Sequence, residues 1–436
     1  MKNLILKELN LNKVEKVHFI GIGGIGISSI ARMMLMQGKE VSGSDLNESK
    51  ITKELKKLGA KVRAGHHERN LNPKTELVVY TIAVPENNPE LKKARKLGIK
   101  TLTYPETLGL ISKNFFTIAI SGTHGKTTTA AMTAKILIDA GFEPTVIVGS
   151  LLKDAKSNFI AGKGKFFVVE ACEYKKSFLN LEPKILAITN IDRDHLDYYK
   201  NLKKIQNAFL EFAVKIPKDG FLVCNSSDFK TRSILKSVKC KVLSYNDIKA
   251  KFKLNFPGWH NIENAKVAFA IASILKIDEK NIIHSLENYA GTWRRFDFKG
   301  KTKKGVLIYD DYAHHPTEVK ATLAAFREIY PKKKITVVFQ PHLYSRTKLL
   351  LNEFAKSFSN ADEIVLIPIY AAREEKDETI SSEMLKEKIN QNRKKVRFFD
   401  DFQEASKYLK NISSKNDLII TMGAGDVYKI GEKLVS

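Results

Sequence analysis

The segment "FFTIAISGTHGKTTTAAMTAKILIDAG", residues 115–141, decides how the middle of this chain folds. Its apolar start predicts a strand. Its end predicts a helix that stops at Gly141, a residue suited to the left-handed backbone that follows a helix. A glycine loop joins the two, and this order directs backbone N–H groups and the positive end of the helix dipole toward one point. The segment therefore predicts a phosphate-binding site in an α/β domain.

The loop itself, "SGTHGKTT" at 121–128, predicts a nucleoside triphosphate as the ligand. A full G-x-x-x-x-G-K-T motif requires glycine where Ile120 stands, so the loop is a shortened variant. Lys126 can reach the β- and γ-phosphates, and the Thr127 hydroxyl can ligate Mg²⁺. A glycine turn with a surface lysine is the alternative, and it explains less of the pattern. The predicted nucleotide-binding residues are Gly122, Thr123, Gly125, Lys126, Thr127 and Thr128.

A second glycine loop lies near the start of the chain, in "KVHFIGIGGIGISSIARMML" at 16–35. Gly21, Gly23 and Gly26 fit G-x-G-x-x-G, and Asp45 ends the next apolar run. This pattern is typical of a dinucleotide-binding domain, in which the second glycine lets a pyrophosphate approach. Because NAD and UDP-sugars both carry a pyrophosphate, the motif by itself leaves an NAD-dependent dehydrogenase open.

Apolar strands alternate with helical patterns along the whole chain, which favours parallel sheets and an α/β fold class. We predict three α/β domains, at residues 1–109, 110–297 and 298–436.

The composition is that of a globular protein without a membrane span. The 436 residues carry a net charge of +25 and include three cysteines without C-x-x-C spacing. The lysines are dispersed, which favours anionic small substrates over nucleic acid. No signal peptide or long apolar stretch is visible, so we expect a cytoplasmic protein with no membrane partner.

Two further residues suit a metal site beside the phosphate loop. Glu170 ends an apolar strand in "VVEACEY", and His195 follows another in "TNIDRDHLDYY". Ligands bind at the carboxyl ends of parallel strands, so both side chains could face Lys126. A solvated carboxylate and a backbone-bonded histidine are the alternatives. We predict a Mg²⁺ site formed by Thr127, Glu170 and His195.

The ordered motifs of the chain resemble those of the Mur ligases, the ATP-dependent enzymes that build the peptide of bacterial cell-wall precursors. The resemblance covers nearly the whole chain and rests on "HFIGIGGIGISSIA", "SGTHGKTTT", "TNIDRDHLD", "GWHNIENA", "RRFDFKG", "DDYAHHPTE", "FQPHLYSRT" and "TMGAGD". It implies a Rossmann-like N-terminal domain, a central P-loop ATPase-type α/β domain and a Rossmann-like C-terminal domain. It also implies amide formation between UDP-N-acetylmuramate and L-alanine through an acyl phosphate, with ATP and Mg²⁺, in peptidoglycan synthesis.

The resemblance assigns roles to individual residues. It implies that Thr127 and Glu170 hold one Mg²⁺ and His195 a second. Asn264, with His260 and Asn261 beside it, would contact adenine, although helix capping by His260 or Asn261 is an alternative. Of two consecutive arginines, Arg295 would bind phosphate. The implied catalytic residues are Lys126, His195, His314 and Arg346.

The third domain would hold the amino acid. By resemblance, Tyr312, His314 and Arg346 line its pocket, and Arg346 anchors the alanine carboxylate. His314 is a candidate for the base that accepts the amine proton. We expect the loops that carry these residues to meet because they follow adjacent parallel strands. A zinc site at His314, His315 and His342 is the weaker alternative.

The resemblance places the UDP-substrate on the first glycine loop rather than NAD. The implied contacts are Gly21, Gly23, Gly24, Gly26, Ser44, Asp45, His66 and Thr81, with His124 and Asn190 from the central domain.

Three positions depart from the family pattern. Cys172 stands in place of aspartate, Tyr174 in place of serine and Leu343 in place of arginine. Phe209 stands where later-step ligases carry a carbamylated lysine, which favours the alanine-adding branch. Three questions stay open. The added amino acid could be glycine or serine, the enzyme could be a recycling ligase that adds a tripeptide, and the protein could be a monomer or a weak homodimer.

Overall fold

The computed structural model describes residues 9–391 and 395–435, in which three sheets follow one another along the chain. The outermost residues of the first and third predicted domains, 1–8 and 436, lie outside the described residues. The predicted fold class, three α/β domains with parallel sheets, is confirmed.

The N-terminal sheet is entirely parallel, in the order β3-β2-β1-β4-β5. Apolar runs at 16–20, 40–43, 60–63 and 76–81 predict its first four strands, which lie within two residues of those bounds, whereas β5 and α4 were not predicted. The elements are β1 (Lys16–Ile20), α1 (Ile25–Met36), β2 (Glu40–Asp45), α2 (Lys50–Lys57), β3 (Lys61–Ala64), β4 (Leu77–Tyr80), α3 (Pro89–Lys96), β5 (Lys100–Thr103) and α4 (Tyr104–Ser112), with 3₁₀ turns at Leu11–Lys13 and Glu68–Asn70.

The central sheet has the order β12-β11-β10-β6-β9-β7-β8, and only its edge strand β8 is antiparallel. Its elements are β6 (Phe116–Ser121), α5 (Lys126–Asp139), β7 (Thr145–Leu152), β8 (Ser157–Ile160), β9 (Phe166–Glu170), β10 (Ile185–Ile188), α6 (Leu196–Tyr199), α7 (Leu202–Ala213), β11 (Phe221–Cys224), α8 (Phe229–Leu235), β12 (Lys241–Ser244), α9 (Trp259–Ile274) and α10 (Glu279–Glu287). Two 3₁₀ segments, Tyr174–Asn180 and Tyr245–Asp247, complete the domain. Because β9 and β10 flank β6, their ends lie on either side of the phosphate loop.

The third sheet has the order β13-β14-β18-β15-β16-β17, with β13 antiparallel to β14. Its elements are β13 (Asp297–Lys301), β14 (Leu307–Asp311), α11 (Pro316–Ile329), β15 (Lys334–Phe339), α12 (Tyr344–Leu349), α13 (Leu351–Ser357), β16 (Glu363–Leu366), α14 (Ser382–Asn390), β17 (Lys395–Phe398), α15 (Phe402–Ile412), β18 (Asp417–Met422) and α16 (Tyr428–Val435). The expectation that β14 and β15 are adjacent is wrong, because β18 pairs with both and separates them.

The N-terminal and central domains share one apolar core. Helix α1 packs on β7 and β8. There, Asn158 donates hydrogen bonds to the Ile25 carbonyl and, over 3.2 Å, to the Ser28 hydroxyl. Helix α4 crosses the predicted boundary at 109/110, and β13 begins at Asp297, so the domain boundaries stay a prediction. Among the described residues, no helix combines the length and apolar character that crossing a membrane requires.

Candidate active site

The phosphate loop connects β6 to α5 in a conformation that requires its two glycines. Gly122 has φ of 129° and Gly125 has φ of 82°, both in the region that favours glycine. A Cβ atom on Gly122 would lie 2.1 Å from the Thr189 hydroxyl oxygen, and one on Gly125 would lie 2.2 Å from Asn264 Oδ1. The loop is therefore held by β10 on one side and by α9 on the other.

Lys126 begins α5 and turns its ammonium back over the loop. Its Nζ donates to the carbonyl oxygens of Gly122 and Thr123, at 2.6 and 3.0 Å, and lies 2.9 Å from Glu173 Oε2. Burial disfavours the ammonium, but the nearby carboxylates outweigh burial and raise the pKa of Lys126 above its usual value. A fixed positive charge therefore stands where nucleotide phosphates would lie.

The predicted metal ligands converge beside this charge. The Thr127 hydroxyl donates to Glu170 Oε2 over 2.9 Å, and the Gly149 N–H donates to the same oxygen over 2.8 Å. His195 Nε2 lies 3.6 Å from Glu173 Oε1, and its Nδ1 is buried without a hydrogen-bond partner. The oxygen donors and the unpaired imidazole nitrogen fit divalent cations at Thr127–Glu170 and at His195.

Glu173 connects the two halves of this site and was missed by the sequence analysis. Its side chain is buried between Lys126 and His195. The available signal was a second carboxylate three positions after Glu170 in "VVEACEY", at the same strand end.

His124, inside the loop, bridges the central and third domains. Its Nδ1 lies 3.1 Å from Glu318 Oε1 at the start of α11, and its Nε2 lies 3.3 Å from Asp192 Oδ2. Burial opposes the imidazolium, but the hydrogen bonds to Asp192 and Glu318 outweigh it and raise the pKa of His124 to about 9. The Asn190 side chain makes two hydrogen bonds to the loop backbone. It accepts one from the His124 N–H over 2.9 Å and donates one to the His124 carbonyl over 3.1 Å.

This bridge predicts a pH-dependent stability. The pKa of His124 is raised in the folded state, so its stabilisation is fully present below the unfolded value of about 6.5 and is lost as pH rises through about 9. The free energy of unfolding of the wild type minus that of H124Q should shrink across this window, as measured by chemical denaturation. H284Q, at an exposed position in α10, should show no such trend, and a pH-independent difference for H124Q would contradict the prediction.

A cavity of about 420 Å³ lies between the central and third domains and opens onto the phosphate loop. Six of the predicted nucleotide-binding residues line it, and its opposite wall comes from the third domain. The six are Gly125, Thr128, His260, Asn261, Asn264 and Arg295. Trp259, which is 71% exposed, and Lys230 also line the cavity and were not predicted.

The start of α9 forms a wall of this cavity beside the phosphate loop. Asn264 Oδ1 accepts from the Thr129 hydroxyl over 3.2 Å, and Asn261 Nδ2 donates to the Pro257 carbonyl over 2.8 Å. Burial lowers the pKa of His260 to about 4, so its imidazole is neutral at neutral pH. Its Nδ1 has no hydrogen-bond partner, which suits a polar ligand such as a base edge.

The two consecutive arginines have separate positions. Arg294 is buried, with Nε donating to Asp310 over 2.7 Å and Nη1 donating to the Gly425 carbonyl over 2.8 Å. Arg295 lines the cavity, where its guanidinium lies 5.1 Å from the centre of the Tyr312 ring. Arg294 therefore stabilises the third domain, and Arg295 faces the cavity.

The loops after β14 and β15 meet although β18 separates their strands. The rings of His314 and His342 lie 5.5 Å apart, and the ring of Tyr312 lies 5.3 Å from that of His314. Burial lowers the pKa of His314 to about 4 and that of His342 to about 2, so both imidazoles are neutral at neutral pH. His314 Nδ1 donates to the Tyr312 carbonyl over 2.9 Å, so any proton-accepting role falls to Nε2.

Arg346 is buried in α12 and pairs across the domain boundary. Its Nε and Nη2 donate to Asp194 Oδ1 over 3.1 and 2.9 Å, and its Nη1 lies 2.9 Å from His342 Nδ1. Burial opposes the Asp194 charge, but Arg346 holds the pKa of that carboxyl well below its usual range. In this conformation Arg346, the predicted anchor for the alanine carboxylate, is already bound to the Asp194 carboxylate.

The third histidine of the zinc alternative is unavailable. His315 caps α11, where its Nδ1 accepts from Thr317 N–H over 3.2 Å and its Nε2 donates to the Arg193 carbonyl over 3.0 Å. Within the described residues, the one histidine and acid cluster with metal-like spacing is His124, Asp192 and His315. Since both His315 nitrogens are bonded to the backbone, neither grouping is a metal site.

The first glycine loop is shaped by close contacts with its own domain. A Cβ atom on Gly21, which has φ of 79°, would lie 2.5 Å from Thr81 Cγ2. The Gly23 N–H donates to Asp45 Oδ2 over 2.8 Å, so here the carboxylate occupies the approach predicted for a pyrophosphate. Gly24 caps α1, and a Cβ atom on Gly26 would lie 2.9 Å from the Tyr104 ring.

Ser44 and His66 belong to a buried network in the same domain. The Ser44 hydroxyl lies 2.9 Å from His66 Nδ1 and donates to Glu90 Oε2 over 2.7 Å. Glu90 Oε2 also lies 2.8 Å from His18 Nε2. The predicted UDP-substrate residues of the N-terminal domain therefore cluster at the carboxyl ends of β1, β2, β3 and β4.

Comparison with known families identifies the class of protein. Residues 16–116 match the Mur ligase family catalytic domain, residues 120–249 the Mur ligase middle domain, and residues 294–425 the Mur ligase glutamate ligase domain. The chain belongs to the Mur ligase family. Ligases of this family depend on ATP, so membership implies that the chain uses ATP.

Individual relatives make the comparison narrower. The UDP-N-acetylmuramate–L-alanine ligase of Clostridium acetobutylicum is 46% identical, with 97% of this chain and 98% of the relative covered. The enzyme of the same name from a Clostridium botulinum strain is 44% identical, with 98% of each chain covered. The crystal structure of UDP-N-acetylmuramate-alanine ligase MurC from Thermotoga maritima is 28% identical, has a TM-score of 0.82, and covers 96% of this chain and 98% of its own.

Proposed function

We propose that this chain is an ATP-dependent ligase that joins L-alanine to UDP-N-acetylmuramate in the synthesis of peptidoglycan precursors. The observation that carries the proposal is the cavity that continues from the Lys126 loop to the start of α9. Relatives of 44–46% identity over nearly full length bear the name of this activity. The dehydrogenase alternative is set aside because the chain belongs to a ligase family.

The reaction has two steps with balanced chemistry. A carboxylate oxygen of the sugar substrate attacks the γ-phosphorus of ATP, the bond to ADP breaks, and an acyl phosphate forms. The amine of alanine then attacks the acyl carbon, phosphate leaves with the bonding electrons, and the nitrogen loses a proton. The first step brings two anions together, so it needs fixed positive charge.

The residues of the site would divide this work. Lys126 would stabilise charge on the transferred phosphoryl group, and Arg295 would bind phosphate from the third-domain side. His260, Asn261 and Asn264 would hold the base. Thr127 and Glu170 would hold one Mg²⁺ and His195 a second. Bound there, Mg²⁺ would neutralise charge on the phosphate oxygens and the substrate carboxylate.

The amino acid would enter beside Tyr312, His314 and Arg346. Since Arg346 is engaged by Asp194, a substrate carboxylate would compete with that carboxylate for the guanidinium. The UDP part would bind at the N-terminal glycine loop, which requires the Asp45 side chain to move away from Gly23.

The decisive experiment is a ligase assay with purified protein, ATP, Mg²⁺ and UDP-N-acetylmuramate. Free alanine, glycine, serine and the cell-wall tripeptide are offered in separate reactions, and the product is identified by mass. We expect ADP, phosphate and the alanine adduct. Turnover of the tripeptide alone would instead assign the recycling activity, and no release of ADP with any acceptor would refute the proposal.

The arginine pair predicts contrasting variants. R295M should raise KM for ATP on the order of 10-fold with little change in melting temperature, because a charged contact to phosphate is lost. R294M should cost about 3 kcal/mol of stability, because it leaves Asp310 buried without its partner. Steady-state kinetics and thermal denaturation of both variants make the comparison. Equal effects of the two variants on KM would contradict the assignment.

A further inference from the structure

We infer that Tyr174 is a positioning residue that fixes the imidazole of His195 and links its orientation to the seating of the third domain. The inference rests on the proposed function, in which His195 ligates a metal ion. Tyr174 itself contacts neither nucleotide nor substrate in this scheme.

The hydrogen bonds of His195 do not determine its ring orientation. Its backbone has φ of 51° and ψ of 40°, a left-handed conformation that is unfavourable for a residue with a Cβ. The Nε2 to Glu173 distance of 3.6 Å exceeds a normal hydrogen bond, and the buried Nδ1 has no partner. Packing must therefore hold the ring in place.

Tyr174 provides that packing. Its ring is buried, and its centroid lies 4.7 Å from that of the His195 ring, with 42° between the ring planes. Its hydroxyl donates to Asp197 Oδ2 over 3.2 Å, which ties the tyrosine to the short helix α6 that His195 begins. Tyr174 thus contacts His195 directly and anchors the helix that carries it.

The third domain holds Tyr174 in turn. The Arg373 guanidinium lies 4.3 Å from the centre of the Tyr174 ring, within the range of a cation–π interaction, and its Nη2 lies 3.8 Å from Asp197. The neighbouring Glu374 accepts from Ser345 N–H over 3.0 Å, which fixes the Arg373 loop to the start of α12.

Helix α12 also carries Arg346, which pairs with Asp194, the residue before His195. The third domain therefore reaches His195 along two routes, Arg346 to Asp194 and Arg373 to Tyr174. If this domain moves away, Tyr174 loses the Arg373 guanidinium and Asp194 loses Arg346 at the same time, so the packing that orients His195 is complete only when the third domain is seated.

The test compares Y174S, Y174F and R373M with the matched control Y198S, a neighbouring aromatic that is 40% exposed. Mn²⁺ binding is followed by electron paramagnetic resonance, with adenylyl-imidodiphosphate present. Y174S should weaken the Mn²⁺ that depends on His195 by about 10-fold, the lower end of effects seen when a ligand's supporting residue is removed. Y174F, which keeps the ring but loses the hydrogen bond to Asp197, should weaken Mn²⁺ binding much less than Y174S, and Y198S should be unchanged.

A second measurement separates positioning from general loss of structure. The Mg²⁺ concentration for half-maximal ligase activity should rise in Y174S while KM for ATP changes less than about 2-fold. R373M, at a partly exposed position, should also raise this Mg²⁺ concentration, but by less than Y174S does. It replaces Y174S as the test variant if Y174S fails to fold. Wild-type Mn²⁺ affinity in both Y174S and R373M, or an equal loss in Y174F and Y174S, would overturn the inference. Wild-type protein that forms the amide but binds a single Mn²⁺ would overturn it without touching the proposed function.

Discussion

Replacing Lys126 with alanine is expected to abolish turnover while leaving the fold intact. The ammonium lies over the phosphate loop and is held by two loop carbonyls and by Glu173. Without it, the charge that develops on the transferred phosphoryl group loses its fixed cation, so kcat should fall on the order of 10³-fold. Steady-state kinetics with saturating substrates measures this loss.

Two further variants separate catalysis from stability at this position. K135A changes a partly exposed lysine of the same helix that pairs with Asp139, and it should keep wild-type kcat. K126A leaves the Glu173 carboxylate buried without its partner, so K126A/E173Q should recover stability without recovering activity. An unfolded K126A protein, or one with a near-normal rate, would count against the assignment.

Replacing Arg346 with methionine is expected to affect both stability and amide formation. Asp194 would remain buried without its cation, which costs about 3 kcal/mol, the lower end of the range for a broken buried pair. The amino acid would also lose the proposed anchor for its carboxylate. Chemical denaturation and the alanine ligase assay measure the two effects separately.

The double variant D194N/R346M separates the loss of stability from the loss of amide formation. Removing both charges should restore most of the stability, because no buried charge is left unpaired, yet amide formation should stay lost. K348M, on the same helix, breaks the exposed pair with Asp377 and should cost less than about 1 kcal/mol. Recovery of ligase activity in the double variant would show that Arg346 does not anchor the amino acid.

Local sequence predicted the strand, glycine loop and helix around Lys126 well because their determinants are local. The strand, the two glycines with positive φ, Lys126 and the helix occupy one continuous segment. Glu170 and His195 were also predictable, because each follows an apolar strand and parallel strands end at the same edge of a sheet.

The partners of these residues were not predictable from local sequence. His124 lies 194 positions before Glu318 and 68 before Asp192, and Arg346 lies 152 positions after Asp194. An acidic residue in a loop carries no local signal of the domain it will face. The tertiary structure showed that Arg346 is already paired and that Glu173 stands between Lys126 and His195.

By itself, the sequence determined the α/β class, the three-domain order and the position of the phosphate loop, because periodicity and glycine geometry act over a few residues. Only the tertiary structure decided the order of the third sheet, where β18, nearly the last element of the chain, inserts between β14 and β15. It likewise decided the contacts that join the domains around His124, Tyr174 and Arg346. Strand pairing and domain seating depend on which distant apolar surfaces and charges fit together, and the pattern of neighbouring residues does not contain that information.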